Sequence, residues 1–195
     1  AEDLVAFMLT DLNDRLREVQ RLDILEAVDN QAMAYFSALP LDDVTDHTLA
    51  LRSKALQKIG NVRQDEGQLA AAMESYLAAS ELGAELLRRS PDDAEREAAY
   101  AETLNHLGNA QYFQGDRDRA LESFTRAAAL LTRATATRPQ DDWLEVLSSA
   151  RTNAGRVLET RGEFEAARKL YGSVLATAAL LASRQPGDVQ RQADL

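Results

Sequence analysis

Few residues of this 195-residue sequence have the types and spacing that catalysis requires. Its two histidines, His47 and His106, stand far apart in the sequence, the first near a predicted helix start and the second within a predicted helix, and cysteine is absent. The sequence contains no His-Glu-x-x-His, Gly-x-Ser-x-Gly, phosphate-loop or dinucleotide-binding motif. We therefore expect a non-enzymatic protein that holds no metal and no cofactor.

Pairs of carboxylates follow three prolines of the sequence. They are Asp42 with Asp43, Asp92 with Asp93, and Asp141 with Asp142. Paired carboxylates can act as acid and base or hold a metal ion, but recurrence after each proline favours a structural role. Acidic side chains at a helix N-terminus accept hydrogen bonds from free N–H groups and suit the helix dipole. We predict that these pairs cap helices.

The composition indicates an all-helical protein. The chain has 34 Ala and 29 Leu but only 2 Ile and 9 Val, and β-branched residues are the ones that strands favour. Its net charge of −10 lies mostly in residues 1–50, which excludes a basic face for nucleic acid. An acidic front end would suit a basic partner or simply keep the chain soluble.

The compartment follows only indirectly from the sequence. No apolar run approaches the roughly 18 residues of a membrane span. The chain begins Ala1-Glu2-Asp3, without Met or a basic segment, so we expect no intact signal peptide and a start inside a longer protein. We predict a cytoplasmic location, or a periplasmic one if a membrane span precedes Ala1.

Three markers recur with spacings of 48 and 47 residues. They are a first set of glycines, a second set, and a set of prolines: Gly60, Gly108 and Gly155; Gly67, Gly115 and Gly162; Pro91, Pro139 and Pro186. Glycine inside a helix costs about 1 kcal/mol against alanine, so its recurrence predicts a close contact that excludes a Cβ atom. The second glycines suit the left-handed position after a helix, and the prolines end the following helix.

A small residue and an aromatic residue follow each second glycine, four positions apart. They are Ala72 and Tyr76, Ala120 and Phe124, and Ala167 and Tyr171. At this spacing both lie on one helix face, where alanine allows a tight crossing and the ring fills the space between helices. The pattern predicts helices at about 46–66, 68–89, 93–114, 117–137, 142–161 and 164–184, with another beginning near 188.

This arrangement resembles the tetratricopeptide repeat family. The second unit matches best, with Leu104, Leu107, Gly108, Gly115, Ala120, Phe124, Ala127 and Pro139. Units of 47–48 residues exceed the family's usual 34 and look like the long-helix variants of bacterial signalling proteins, so we expect a fragment of a larger multidomain protein. The resemblance implies an all-α, right-handed α-solenoid of antiparallel helix pairs, with repeats at about 46–91, 92–139 and 140–186 and a further helix starting in 187–195.

Residues 1–45 lack the glycine markers but keep helical patterning, with an apolar stripe that includes Leu4 and Met8. We expect an N-terminal helical cap on the array. The alternative is a linker or coiled coil that joins an upstream effector or membrane region to a longer array. In that case the chain would be a structural spacer or oligomerisation element, and the N-terminal helix would form a homodimer.

The resemblance also implies a concave binding groove formed by the first helix of each repeat. Its predicted lining residues are Gln57, Asn61, Gln64, Asn105, Asn109, Tyr112, Arg156 and Glu159. Carboxamides can both donate to and accept from a peptide backbone, Tyr112 can hold an apolar side chain, and Arg156 can pair with a carboxylate. The alternative is a merely solvated polar face, or a groove filled by the N-terminal helix or another protomer.

Some family members grip a C-terminal carboxylate with asparagines and cations of the groove. Asn61 and Asn109 match those asparagines, but Gln57, Ser149 and Asn153 stand where cations are expected. The carboxylate-binding role therefore does not transfer to this chain. The sequence predicts a module that binds a protein or peptide, such as a basic segment, and does not bind nucleic acid or insert into a membrane.

Overall fold

A computed structural model describes Gln31 and residues 45–184 of the chain. These residues form six helices and no strand: α1 (Asp46–Asp65), α2 (Leu69–Arg89), α3 (Ala94–Phe113), α4 (Arg117–Thr137), α5 (Asp141–Thr160) and α6 (Phe164–Arg184). The all-α prediction is confirmed, and each predicted helix begins and ends within one residue of the observed one. The predicted N-terminal helices, the cap at 1–45 and the helix near 188 fall outside the described residues.

The chain divides into two compact units, residues 1–89 and 90–195. Helices α1 and α2 belong to unit 1, and α3 to α6 belong to unit 2. In unit 2, each helix packs against the next one along the chain, and α3 also contacts α5. Such side-by-side packing of helix pairs is the arrangement of a helical-repeat solenoid, in which each repeat buries its apolar side against its neighbour.

The helices of each pair are antiparallel and meet at a glycine. A Cβ atom on Gly60 would lie 2.5 Å from the ring of Tyr76, one on Gly108 2.6 Å from Phe124, and one on Gly155 2.6 Å from Tyr171. Distances under about 3 Å leave no room for a methyl group. The predicted close contact is confirmed, and the three recurring aromatic residues are the groups that require glycine.

The turn between the helices of each pair uses the second glycine in a left-handed conformation. The backbone φ angle of Gly115 is 88°, and it allows Asp116 N to donate to Gln111 O at 2.9 Å. This bond from beyond the glycine back into the helix satisfies a carbonyl that the helix end leaves free. Gly67 and Gly162 have φ angles of 76° and 77°, so the prediction holds in all three pairs.

Asp42 and Asp43 lie outside the described residues, and the N-cap of α1 is Thr45, whose side chain accepts from Thr48 N. The other two acidic pairs differ from each other. Asp93 caps α3, because its side chain accepts from the backbone N–H groups of Glu95 and Arg96 at 3.0 and 3.2 Å. Asp141 and Asp142 instead lie inside the first turn of α5, and Gln140 is the N-cap residue without a side-chain cap bond. The capping prediction is therefore wrong for this pair, although its charge still suits the helix dipole.

An unpredicted ion pair joins the open end of each helix pair. Arg89 contacts Asp46 at 2.9 Å in unit 1, and Arg184 contacts Asp141 at 2.6 Å in unit 2. The third pair, Arg138 with Glu95, has the same separation of 43 residues along the chain. Each arginine therefore ties the end of a second helix to the first turn of its partner.

None of these helices is long and apolar enough to serve as a transmembrane segment.

Candidate functional site

Helices α3 and α5, the first helices of their pairs, lie next to each other in unit 2. We call the polar surface that they share the first-helix face, formed by Asn105, Asn109 and Tyr112 of α3 and by Asn153 and Arg156 of α5. The two helices present these residues at intervals of three or four positions, which places them along one side of each helix.

Three asparagine side chains join the two helices. Asn153 Nδ2 donates to Asn109 Oδ1 at 3.1 Å and to Asn105 Oδ1 at 3.3 Å. Asn105 Nδ2 in turn donates to Ser149 Oγ at 3.3 Å. Asn105 is buried and uses both ends of its amide in this network. Asn105, which was predicted as a binding residue, therefore holds α3 and α5 together and exposes little surface to a partner.

The network leaves two polar atoms without a hydrogen-bond partner among the described residues. Asn109 Nδ2 is a free donor and Asn153 Oδ1 is a free acceptor, and both residues are half-buried. Neither atom is among the sealed, unsatisfied side-chain atoms of the described chain, so both are accessible to solvent. A donor and an acceptor on two amides that are bonded to each other are the groups that an extended peptide offers partners for, through its C=O and N–H groups.

Tyr112 and Arg156 form a stacked pair one turn further along. The Arg156 guanidinium lies 5.3 Å from the centre of the Tyr112 ring, which is within the range of a cation–π contact. The ring also packs against a buried cluster of Ala120, Phe124, Ala154 and Val157. Tyr112 is therefore half-buried and has a packing role, whereas Arg156 is exposed.

Glu159 is exposed but already has a partner. Its Oε2 accepts from the hydroxyl of Tyr171 at 2.9 Å. Burial, together with this hydrogen bond to a carboxylate, raises the pKa of Tyr171 to about 12. Of the unit 2 residues predicted for the groove, Glu159 is thus engaged within its own helix pair.

The three predicted residues of unit 1 surround the hydroxyl of Tyr76 or are buried. Tyr76 Oη donates to Asn61 Oδ1 at 2.8 Å and approaches Gln64 Oε1 at 3.5 Å. Gln57 is only 9% exposed. The carboxamides of Asn61 and Gln64 therefore serve the contact between α1 and α2, because the hydroxyl of a buried tyrosine needs an acceptor.

The histidines do not assemble a reactive centre in the described part of the chain. Burial lowers the pKa of His106 below its ordinary 6.5, which outweighs the opposite effect of Glu102. Within the described ranges, no three His, Cys, Asp or Glu side chains come close enough to hold a metal ion.

Two residues of unit 2 are not among the predicted site residues. Asn153 does not match the cationic position of the family, yet it is the centre of the amide network. Trp143, the single tryptophan of the chain, lines a cavity between α3, α4 and α5. Its position 48 residues after Glu95, one repeat length, is the sequence feature that could have placed it beside α3.

The sequence model of the tetratricopeptide repeat family matches residues 103–141, about a fifth of the chain. No curated protein matches the sequence. Among solved structures, BtubC (BKLC) from P. vanneervenii is similar with a TM-score of 0.50 and 14% identity, over 91% of this chain and 82% of that one. The MamA protein has a TM-score of 0.43 and 16% identity, over 93% and 96% of the two chains.

The matched residues run from within α3, through the turn at Gly115 and along α4, to the first residue of α5. The same stretch contains the contact between Gly108 and Phe124. The likeness to BtubC supports the helical-repeat fold alone. The tetratricopeptide repeat match covers one helix pair, and the same contact between a glycine and an aromatic ring recurs in the other two described pairs.

Proposed function

We propose that this chain is a non-catalytic binding module that holds an extended peptide segment of a protein partner on the first-helix face of unit 2. Tetratricopeptide repeats are generally protein-interaction scaffolds without catalytic activity, and this general role is the part that the family match supports directly. The peptide, the face and the residues are the proposal.

One observation carries the proposal. Asn109 Nδ2 and Asn153 Oδ1 are unpaired within the described residues, yet their amides are fixed to each other by the bond from Asn153 Nδ2 to Asn109 Oδ1. A fixed amide loses little side-chain entropy when a ligand binds, which favours affinity. A free donor and a free acceptor can then pair with one peptide unit of the ligand.

The stacked pair of Tyr112 and Arg156 supplies the second contact of the proposed site. The Tyr112 ring restricts the guanidinium of Arg156 from one side, so its remaining N–H groups can meet a carboxylate or a backbone carbonyl. Phe113 lies edge-on to Tyr112 at 5.9 Å and is 61% exposed, which adds apolar area beside this pair. A few contacts of this kind give micromolar binding, at about −8 kcal/mol.

A selection from a library of random dodecapeptides, followed by calorimetric titration of the enriched peptides, tests the proposal on the full chain. Asn109→Asp keeps the acceptor that Asn153 uses but replaces the free N–H donor by an oxygen. We expect this variant to bind the selected peptides about tenfold more weakly or worse, because an unpaired carbonyl of the ligand then faces a carboxylate.

Arg156→Glu is the second variant, and Arg168→Glu is its matched control. Both arginines are exposed residues of unit 2, but Arg168 lies on α6 and its only ion-pair partner among the described residues is Glu165 on the same helix. We expect Arg156→Glu to weaken binding at least tenfold and Arg168→Glu to leave it within about twofold. The proposal would be contradicted if the selection yielded no binding peptide. It would also be contradicted if the selected peptides bound the Arg156→Glu and Arg168→Glu variants equally well.

The alternative role as a spacer or oligomerisation element rests on the N-terminal helix. Its predicted homodimer contact lies outside the described residues and stays a prediction. Light scattering over a range of concentrations, with Leu4→Asp and Met8→Asp as variants, measures it directly.

A further inference from the structure

A cavity of about 270 Å³ lies in unit 2 at the end of the first-helix face opposite Arg156. Its lining includes Glu95 and Glu102 of α3, Leu131 of α4, Gln140, and Trp143 and Val146 of α5. Pockets that take a whole small molecule measure roughly 300–1,000 Å³. This cavity is therefore of the size that accommodates one long side chain.

The two carboxylates at this cavity differ in their partners. Glu95 is paired with Arg138 across the end of α3 and α4. Glu102 makes no hydrogen bond and no ion pair within the part of the chain that the structure describes. His106 follows one turn later on α3, and burial lowers its pKa although the charge of Glu102 acts in the opposite direction.

The remaining lining completes a site for a cation with an apolar stem. Trp143 offers the aromatic face that attracts cations most strongly. Leu131 and Val146 are apolar walls of the kind against which the methylene groups of lysine or arginine pack. An acidic side chain would be repelled by Glu102, and a purely apolar one would remove water from that carboxylate without replacing it.

We propose that this cavity, the Trp143 pocket, binds a lysine or arginine side chain of the partner peptide, held by the Trp143 ring and the Glu102 carboxylate. The inference rests on the proposed function, since it assigns a residue type to the peptide on the first-helix face. The net charge of −10, most of it in residues 1–50, favours a basic ligand for the chain as a whole.

The spacing of the pocket from the amide network sets a further constraint. Trp143 and Asn153 are ten positions apart on α5, which corresponds to about 15 Å at 1.5 Å per residue. An extended peptide covers roughly 3.3 Å per residue. The cationic residue is therefore expected about four or five positions from the peptide unit that pairs with Asn109 and Asn153.

Trp143 is the single tryptophan of the chain, so intrinsic fluorescence reports on this pocket. The experiment titrates the full chain with N-acetyl-arginine amide and N-acetyl-lysine amide at constant ionic strength. N-acetyl-citrulline amide matches the shape of arginine without its charge, and N-acetyl-norleucine amide tests an apolar stem alone. We expect a saturable emission change with millimolar affinity for the cationic probes, at least fivefold tighter than for the two neutral ones.

Glu102→Gln tests the carboxylate, with Glu122→Gln on α4, outside the pocket, as the control for charge. We expect the first change to weaken the cationic probes about threefold or more and the second to leave their affinity unaltered. An equal response to citrulline amide, tighter binding of norleucine amide, a response that does not saturate, or a Glu102→Gln variant that binds like the original chain would overturn the proposal.

These single-residue probes are too short to reach Asn109 or Arg156. If the cationic probes do not bind the Trp143 pocket, the result of the peptide selection is therefore unaffected. If Asn109→Asp binds the selected peptides as well as the original chain does, the fluorescence result is likewise unaffected. When both hold, the selected peptides should contain a lysine or arginine at the predicted spacing, and Glu102→Gln should weaken them.

Discussion

At the scale of single residues, the recurring contact between a glycine and an aromatic ring is the feature that best links sequence to structure. Phe124 is 1% exposed and lies against Gly108, so its ring cannot shift to make room for a larger residue at position 108. Gly172 is also inside a helix, but a Cβ atom there would meet nothing within 4 Å. The two helical glycines therefore make a matched pair for one substitution.

We expect Gly108→Ala to lower the free energy of unfolding by about 1–3 kcal/mol. The steric cost of the added methyl group in the core is larger than the stabilisation from the higher helix propensity of alanine. Gly172→Ala should instead raise it by up to about 1 kcal/mol. Urea unfolding followed by far-ultraviolet circular dichroism measures both. Equal effects of the two substitutions would show that the contact with Phe124 has no energetic weight.

Tyr171 carries a second prediction at this scale. Burial first, and the bond to Glu159 second, raise its pKa to about 12, so the folded chain keeps the phenol proton above pH 10, where an unfolded chain loses it. The stabilisation from protonated Tyr171 is thus present below pH 10 and is lost as the pH rises through 12.

We expect Tyr171 to titrate well above pH 10, and Glu159→Gln to lower its pKa by part of the shift only, since burial remains. The 13Cζ chemical shift of the tyrosines against pH measures this, with Tyr171→Phe for the assignment and Glu165→Gln as the control. A Tyr171 pKa near 10 in the original chain would contradict the expected effect of burial.

At the scale of helices, capping and end-to-end ion pairs decide how each element begins and joins its partner. Asp93 caps α3 through two backbone N–H groups, whereas no capping bond involves the adjacent Asp92. The ion pairs of Arg89, Arg138 and Arg184 repeat the same connection in every helix pair, but exposed pairs of this kind contribute only about 0–1 kcal/mol each. At the start of α3, the Asp93 cap therefore contributes more to stability than the ion pair between Arg138 and Glu95.

Asp93→Ala should cost about 1 kcal/mol of stability, because two N–H groups at the start of α3 lose their acceptor. Asp92→Ala should stay within about 0.5 kcal/mol of the original chain, since it changes an exposed side chain outside the cap. Thermal unfolding in low and high salt compares them, and the loss for Asp93→Ala should persist largely in high salt. Indistinguishable melting temperatures of the two variants would refute the capping role.

At the scale of the whole molecule, the acidic charge and the polar face of unit 2 favour the same kind of partner. The chain carries a net charge of −10, most of it in residues 1–50, and the first-helix face ends at a cavity lined by Glu102, which has no ion-pair partner among the described residues. If the chain binds a basic segment as proposed, long-range attraction would speed the encounter and hydrogen bonds from the face would fix the register of the segment. Affinity for such a segment should consequently fall as salt is added.

The sequence alone determined the helices, their order and a close contact at each first glycine, whereas the structure identified the aromatic ring that makes this contact. These features depend on short-range rules: a residue's helix propensity, the 3.6-residue period, and the need for glycine at Gly115 where φ is positive. The sequence could also place Asn105 and Asn109 along one side of α3, because that follows from their spacing. It could not distinguish Asp93, which caps, from Asp141, which does not.

Only the tertiary structure decided which side chains meet across helices. The amide of Asn153 joins Asn109 over 44 residues of chain, and Arg156 stacks on Tyr112 over a similar separation. An asparagine on a helix is equally compatible with water, a neighbouring helix or a ligand, so its type does not reveal its partner. The partners of Asn109 and Arg156, and the cavity at Trp143, follow from how closely α3, α4 and α5 pack and from the rotamers which that packing allows.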